Sequence, residues 1–166
     1  QSYCYAKKAE RLYPNVLPSR TRNLKFSNTD KFVPSIIEYV NKKKLETFRI
    51  HESGDFYNTK YVTKWYDIAR ACPKTKFYAY TKRDDLFTDD LLKDKPKNLV
   101  LIFSYDGIKD NDFKPDQDVL NKFDKVAIVT LNKFNCPAQK DKDIKCMEQC
   151  KKCINKTTKV ITFKKH

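Results

Sequence analysis

What the sequence lacks sets its first limits. No stretch of the 166 residues approaches the roughly 18 consecutive apolar residues of a membrane helix. The amino end lacks the basic-then-apolar pattern of a secretory signal. Both absences predict a soluble protein of the cytosol, or of the host cytosol if the gene is phage-borne. The chain is too short for a complete eight-fold β/α barrel of about 250 residues, yet long enough for one domain with a real core. No repeat or low-complexity tract interrupts it. The first residue is Gln1 rather than Met, so the numbered chain is expected to begin inside a longer product and to have lost ligands upstream.

Glycine is scarce too, with two residues in all, whereas Lys, Asn, Ile, Tyr and Phe abound. Codons rich in A and T would produce that mix without any ligand. The 35 basic and 21 acidic residues leave a net charge of +14. Such a field invites a nucleic-acid or phosphate partner through counterion release. A lysine-rich solvated surface is the alternative.

The apolar periodicity alternates between two kinds. Cys4 to Leu12 is rich in helix formers, and Pro14 and Pro18 follow as punctuation, predicting a short helix that leaves a loop. Val33, Ile36, Ile37 and Val40 recur at helical spacing behind Asp30, with Pro34 tolerated in the first turn and Lys42 to Lys44 at the end. Thr47 to His51 reads as a strand. Asn58 caps a helix with Val62, Trp65, Ala69 and Cys72 on one face, which Pro73 ends. Lys76 to Thr81 is a second strand, Asp89 to Lys93 a short helix, and Leu99 to Phe103 a buried strand. Val126 to Leu131 and Val160 to Phe163 complete the set. The fold expected is α/β: a mainly parallel sheet of about five strands, open or rolled into a partial (β/α) barrel. Residues 1–135 would form that domain, and residues 136–166 a cysteine-rich metal-binding segment packed upon it.

Ligands of such sheets sit beyond the carboxyl ends of the strands. Here those ends carry His51, Glu52, Ser53, Gly54 and Asp55, then Tyr80 to Arg83, then Ser104, Tyr105 and Asp106, then Thr130 and Asn132. His51, Glu52, Asp55 and Lys82 form a candidate acid/base group on a tight turn that Gly54 permits. Ser53, Gly54, Asp55, Ser104 and Asp106 are candidates for binding a small cofactor. Structural alternatives are a satisfied His51 and an Arg49 ion-paired with Glu52 or Asp55. Whether the chain is an enzyme stays open.

Six cysteines without a secretory signal read as metal ligands rather than disulfides. Cys136, Cys146, Cys150 and Cys153 are spaced C-x9-C-x3-C-x2-C. Four thiolates satisfy tetrahedral zinc or a four-iron, four-sulfur cluster, and the spacing does not choose between them. The surrounding lysines would favour thiolates and offset the charge of the assembled site. Reduced structural cysteines are the bland alternative. Cys72 reads as core, Cys4 as the last member of a further ligand motif, and His166 as a fifth metal candidate or a tail end.

Taken together, CYAKKAE, RIHESGDFYNTKYVTKW, FYAYTK, NCPAQ with the cysteine cluster, and the terminal VITF resemble the phage gene product 88 family over nearly the whole chain. In outline that family looks like a shortened relative of radical S-adenosylmethionine proteins. In those, a loop after the first strand carries three cysteines for a four-iron cluster, and an acidic residue after the second holds the methionine amino group. The resemblance thus implies that Cys4 belongs to such a loop, that Ser53, Gly54 and Asp55 match the acidic turn, and that S-adenosylmethionine is a cofactor. Cys146, Cys150 and Cys153 resemble the radical triplet from the other end of the chain. With Cys136 as a fourth ligand no iron stays open, so this site is expected to be auxiliary or structural. A zinc-stabilised binding module for nucleic acid or protein, with Tyr57, Tyr61, Trp65 and Tyr66 meeting bases, is the competing expectation.

Overall fold

The structure is a computed structural model, and residues 5–110, 112–155 and 157–164 are described. Cys4 and His166 lie outside these residues. Five strands, β1 (Thr47–Arg49), β2 (Lys76–Thr81), β3 (Leu99–Lys109), β4 (Lys125–Thr130) and β5 (Val160–Lys164), pair in chain order into one sheet. Every pairing is parallel, and the sheet curls into a half-barrel. The expectation of a parallel α/β fold of about five strands therefore holds.

Two apolar layers follow from the two-residue period of the strands. Phe48, Phe77, Ala79, Leu99, Leu101 and Phe103 face one side, where α3 (Phe32–Lys43) and α4 (Thr59–Ala71) bring Val40, Val62, Trp65 and Ile68 against them. Each fully buried side chain of this kind contributes about 1.5–3 kcal/mol. Tyr78, Tyr80, Val100, Ile102, Ala127, Ile161 and Phe163 face the other side and meet Cys153 and Ile154. A parallel sheet needs cover on both faces, and the cysteine-rich segment covers part of the second.

Local chemistry explains the elements. Asn58 caps α4 by accepting a 2.8 Å bond from the Tyr61 amide. Asp30 does not cap α3, whose preceding residue is Lys31 with no side-chain bond to the helix. Lys44 ends that helix in the left-handed conformation, at φ 49°. The Asn98 amide donates to the carbonyls of Ala69, Cys72 and Thr75, closing the carboxyl end of α4 onto the start of β3. Residues after Leu12 do not stay a loop, because α1 (Tyr5–Leu12) is followed by α2 (Val16–Ser27), with Pro18 in its first turn. β1 stops two residues before His51. There the Arg49 side chain donates to the main-chain carbonyls of His51 and Glu52, turning the chain. β3 outruns its expected end, with an irregular register between Ser104 and Ile108 at Gly107, φ +70°.

Candidate functional site

The first cluster of polar residues lies at the carboxyl ends of β1 to β3. Gly54, at φ +89°, lets the chain reverse after β1 so that Asp55 faces the end of β2. One Asp55 oxygen accepts from the Phe56 amide and the Thr81 hydroxyl, each at 2.7 Å, and the other accepts from the Lys82 amide at 2.7 Å. Both oxygens are thus engaged in tying two strand ends together. The Lys82 ammonium donates to the Asp106 carboxylate and to the carbonyls of Ser104 and Tyr105, joining β2 to β3.

The other two candidate acid/base residues turn elsewhere. His51 lies edge-on to Phe56, centroids 4.9 Å apart, with Nε2 3.3 Å from the Tyr61 hydroxyl. Its Nδ1 is buried and makes no hydrogen bond among the described residues. Burial, opposed by Asp55 and reinforced by Arg49, lowers the His51 pKa to about 4. Glu52 is exposed and faces Arg20 of α2 at 3.9 Å, while the same guanidinium holds Glu10 at 2.7 Å. Arg49 makes no ion pair with Glu52 or Asp55 among the described pairs. It stacks instead over Tyr80, 5.3 Å from the ring centroid. Ser53 is half-buried beside Gly54.

The second cluster is the cysteine segment. After β4 the chain returns along the free edge of β5. The Asn135 side chain accepts from the Thr162 amide at 3.0 Å and donates to the Val160 carbonyl at 3.1 Å. Gln139, on α7 (Pro137–Lys140), does the same for Lys164, accepting from its amide at 2.7 Å and donating to its carbonyl at 3.3 Å. Two side-chain amides thus act as a surrogate sixth strand, and Cys136 sits buried between them. Sequence reasoning missed these two roles, although amides four residues apart around a Cys-Pro pair were a readable signal. A single π-helical turn, Cys146–Cys150, follows, and Lys151 at φ 48° directs Cys153 onto the sheet.

There the Cys153 sulfur lies 3.0 Å from the Tyr80 hydroxyl. None of the described cysteines is in a disulfide. Burial pushes the Cys146 thiol up to about 11, with Cys153, Cys150 and Cys136 each adding to the rise. Cys153 is also raised, by burial first, although the Tyr80 hydrogen bond opposes it. The other three sulfurs therefore act on Cys146, and Cys136 and Cys150 act on Cys153. Burial and the neighbouring sulfurs thus push these two thiols up, against the lowering expected from the surrounding lysines. Among the described residues, no three His, Cys, Asp or Glu side chains stand as a ready-made site for a metal ion.

No solved structure matches the chain. The Gene 88 protein of Mycobacterium phage L5 is 38% identical over 65 residues, 39% of this chain. That match spans 27% of the phage protein, well under two thirds of its length. The family model described as Gene product 88 matches residues 1–162, so the chain belongs to the gene product 88 family, a family of phage proteins.

Proposed function

We propose that this protein is a thiolate-held iron-sulfur protein, with Cys136, Cys146, Cys150 and Cys153 as the ligands. The observation that carries the reading is the return of the cysteine segment over the open sheet face, which lays Cys153 against Tyr80 and buries Cys136 beside β5 with all four cysteines of the segment free thiols. A single zinc ion needs all four sulfurs about 2.3 Å from one point. A four-iron cluster holds each sulfur on a separate corner and tolerates a wider spread. Four thiolate donors suit such a cluster and tetrahedral zinc alike, and metal analysis separates the two.

When bound, a cluster closed by four cysteines supplies one-electron transfer or a structural cross-link, and it offers no open iron. The chain's own residues hold Cys136 through the clasp on β5 and hydrogen-bond Cys153 through Tyr80. The strand-end rim of Ser53, Gly54, Lys82, Ser104 and Asp106 is where this reading puts a small cofactor. S-adenosylmethionine is the one implied by the radical-type resemblance. Asp55 supports the rim as a brace between strands.

Metal and acid-labile sulfide analysis of the full-length protein, purified without oxygen, tests the reading. About four irons and four sulfides per chain, with visible thiolate-to-iron absorbance, are expected. Stoichiometric zinc without sulfide would overturn it in favour of a zinc-stabilised module. Cys146→Ser should lower the iron content while leaving the half-barrel folded.

A further inference from the structure

α1 and α2 form a helical hairpin beside the strand-end rim. Arg20 closes it, donating to the Ala6 carbonyl at 2.9 Å and to the Glu10 carboxylate at 2.7 Å. The same guanidinium faces Glu52 at 3.9 Å, and the Ser27 and Tyr57 hydroxyls lie 2.9 Å apart. α2 is thus tied at two points to the loop that follows β1.

The outer face of this hairpin combines two features. Leu12, Tyr13, Leu17 and Leu24 are each more than half exposed, and of α2 only Ser27 is buried. Leu17 and Leu24 stand two turns apart on one side of α2, with Arg22 and Lys25 on the side next to them. Residues 5–27 hold six basic residues and one acidic residue, Glu10, which Arg20 already engages. Lys8, Arg11, Arg22 and Lys25 are exposed and enter no ion pair among the described residues.

Cations without counter-charges beside solvent-facing apolar side chains suit a partner that carries negative charge and apolar surface together. A second copy is disfavoured, because in a chain of net charge +14 the same cations would face each other. A duplex offers such a face its phosphates, with its bases stacked inside. Single-stranded nucleic acid offers phosphates and unstacked base planes side by side.

We propose that the outer face of the α1–α2 hairpin binds single-stranded nucleic acid, with phosphates on Lys8, Arg11, Arg22 and Lys25 and bases against Tyr13, Leu17 and Leu24. The ties from α2 to the loop after β1 set a bound strand beside the strand-end rim. No cysteine and no bound cofactor enters this surface, so it stands apart from the metal reading.

Fluorescence anisotropy of a labelled oligothymidine, titrated with the full-length protein at increasing salt, is the test. Four phosphate contacts predict a log–log slope of affinity against salt of about −3. Arg22→Ala with Lys25→Ala should weaken binding by about tenfold and make that slope shallower by about 1.4. Leu17→Ala with Leu24→Ala should weaken binding several-fold at an unchanged slope. Lys42→Ala with Lys43→Ala, on the exposed end of α3, removes the same charge elsewhere and should leave binding near wild type. All six positions are exposed, so each variant should fold. Equal losses in the α2 and α3 lysine and arginine pairs would overturn the site in favour of diffuse charge attraction. Absence of oligothymidine binding would overturn it outright. So would equal or tighter binding of duplex DNA, of polyglutamate or of phosphatidylcholine–phosphatidylglycerol vesicles, which would give the face to phosphates alone, to an acidic protein or to lipid. Dimerisation in sedimentation that the leucine variant abolishes would give it to a second copy.

Discussion

The Tyr80 hydroxyl lies 3.0 Å from the Cys153 sulfur, joining β2 to a segment 73 residues further along the chain. The same ring has Arg49 over it and lies 6.3 Å from the Phe163 ring, so its position is fixed by packing as well as by the bond to sulfur. Tyr80→Phe keeps the ring and removes only the O–H. In the metal-free protein this should change stability by no more than about 1 kcal/mol. Under the proposed iron-sulfur reading it should move the potential of the cluster negative, because hydrogen bonds to ligand sulfur stabilise the reduced state. An unchanged potential in a redox titration would remove Tyr80 from the site.

Asp55 offers a test of structure against ligand binding. Its carboxylate accepts three hydrogen bonds, two of them from main-chain amides on either side of the strand-end rim. Asp55→Ala should therefore lower stability by about 2–3 kcal/mol in urea denaturation, ligand or no ligand. A loss under about 0.5 kcal/mol, within the range of ordinary surface changes, would show that the bonds contribute little and free the carboxylate for another role.

Much of this architecture was legible because the strands are buried on both faces. Lys76 to Thr81 and Leu99 to Phe103 are runs that only a sheet interior accommodates, and both stand where the periodicity placed them. α2 was not legible for the opposite reason. Of its residues only Ser27 is buried, while Leu17 and Leu24 are exposed, so no apolar stripe faces the core, and Pro18 reads as a stop rather than a first-turn residue. At the site, residue type was readable but direction was not. His51, Glu52 and Asp55 stand within five positions, yet one turns toward Tyr61, one toward Arg20 and one toward Thr81.

The clasp on β5 makes a local prediction. Asn135→Ala removes two side-chain bonds to an edge strand, and each such bond contributes about 1 kcal/mol. Hydrogen exchange at the Thr162 amide, which now donates to Asn135, should accelerate strongly, whereas exchange at Leu101 in β3 should stay as in wild type. Because Cys136 follows directly and its own amide donates to the Thr162 carbonyl at 3.1 Å, retention of the proposed cluster should fall with it. Unaltered exchange at Thr162 would mean that the edge is held by main-chain contacts alone.

The last prediction concerns pH. The folded His51 ring gains its proton only near pH 4, against 6.5 for the unperturbed residue, because burial beside Phe56 and Tyr61 penalises the charge. Between these values the unfolded chain holds more protons than the folded one, so stability must fall as pH drops through that window. His51 contributes its full share above about pH 6.5, and the loss is complete below about pH 4, with an upper size of about 3 kcal/mol. Carboxylates titrate in the lower part of the same window, so the informative quantity is the difference between wild type and His51→Gln. Denaturant unfolding at pH 7, 6 and 5 should show wild type losing stability faster than the variant as the pH falls. Parallel losses in the two proteins would mean that the folded ring is free to charge, and with it that His51 is open to solvent and available as an acid or base at the rim.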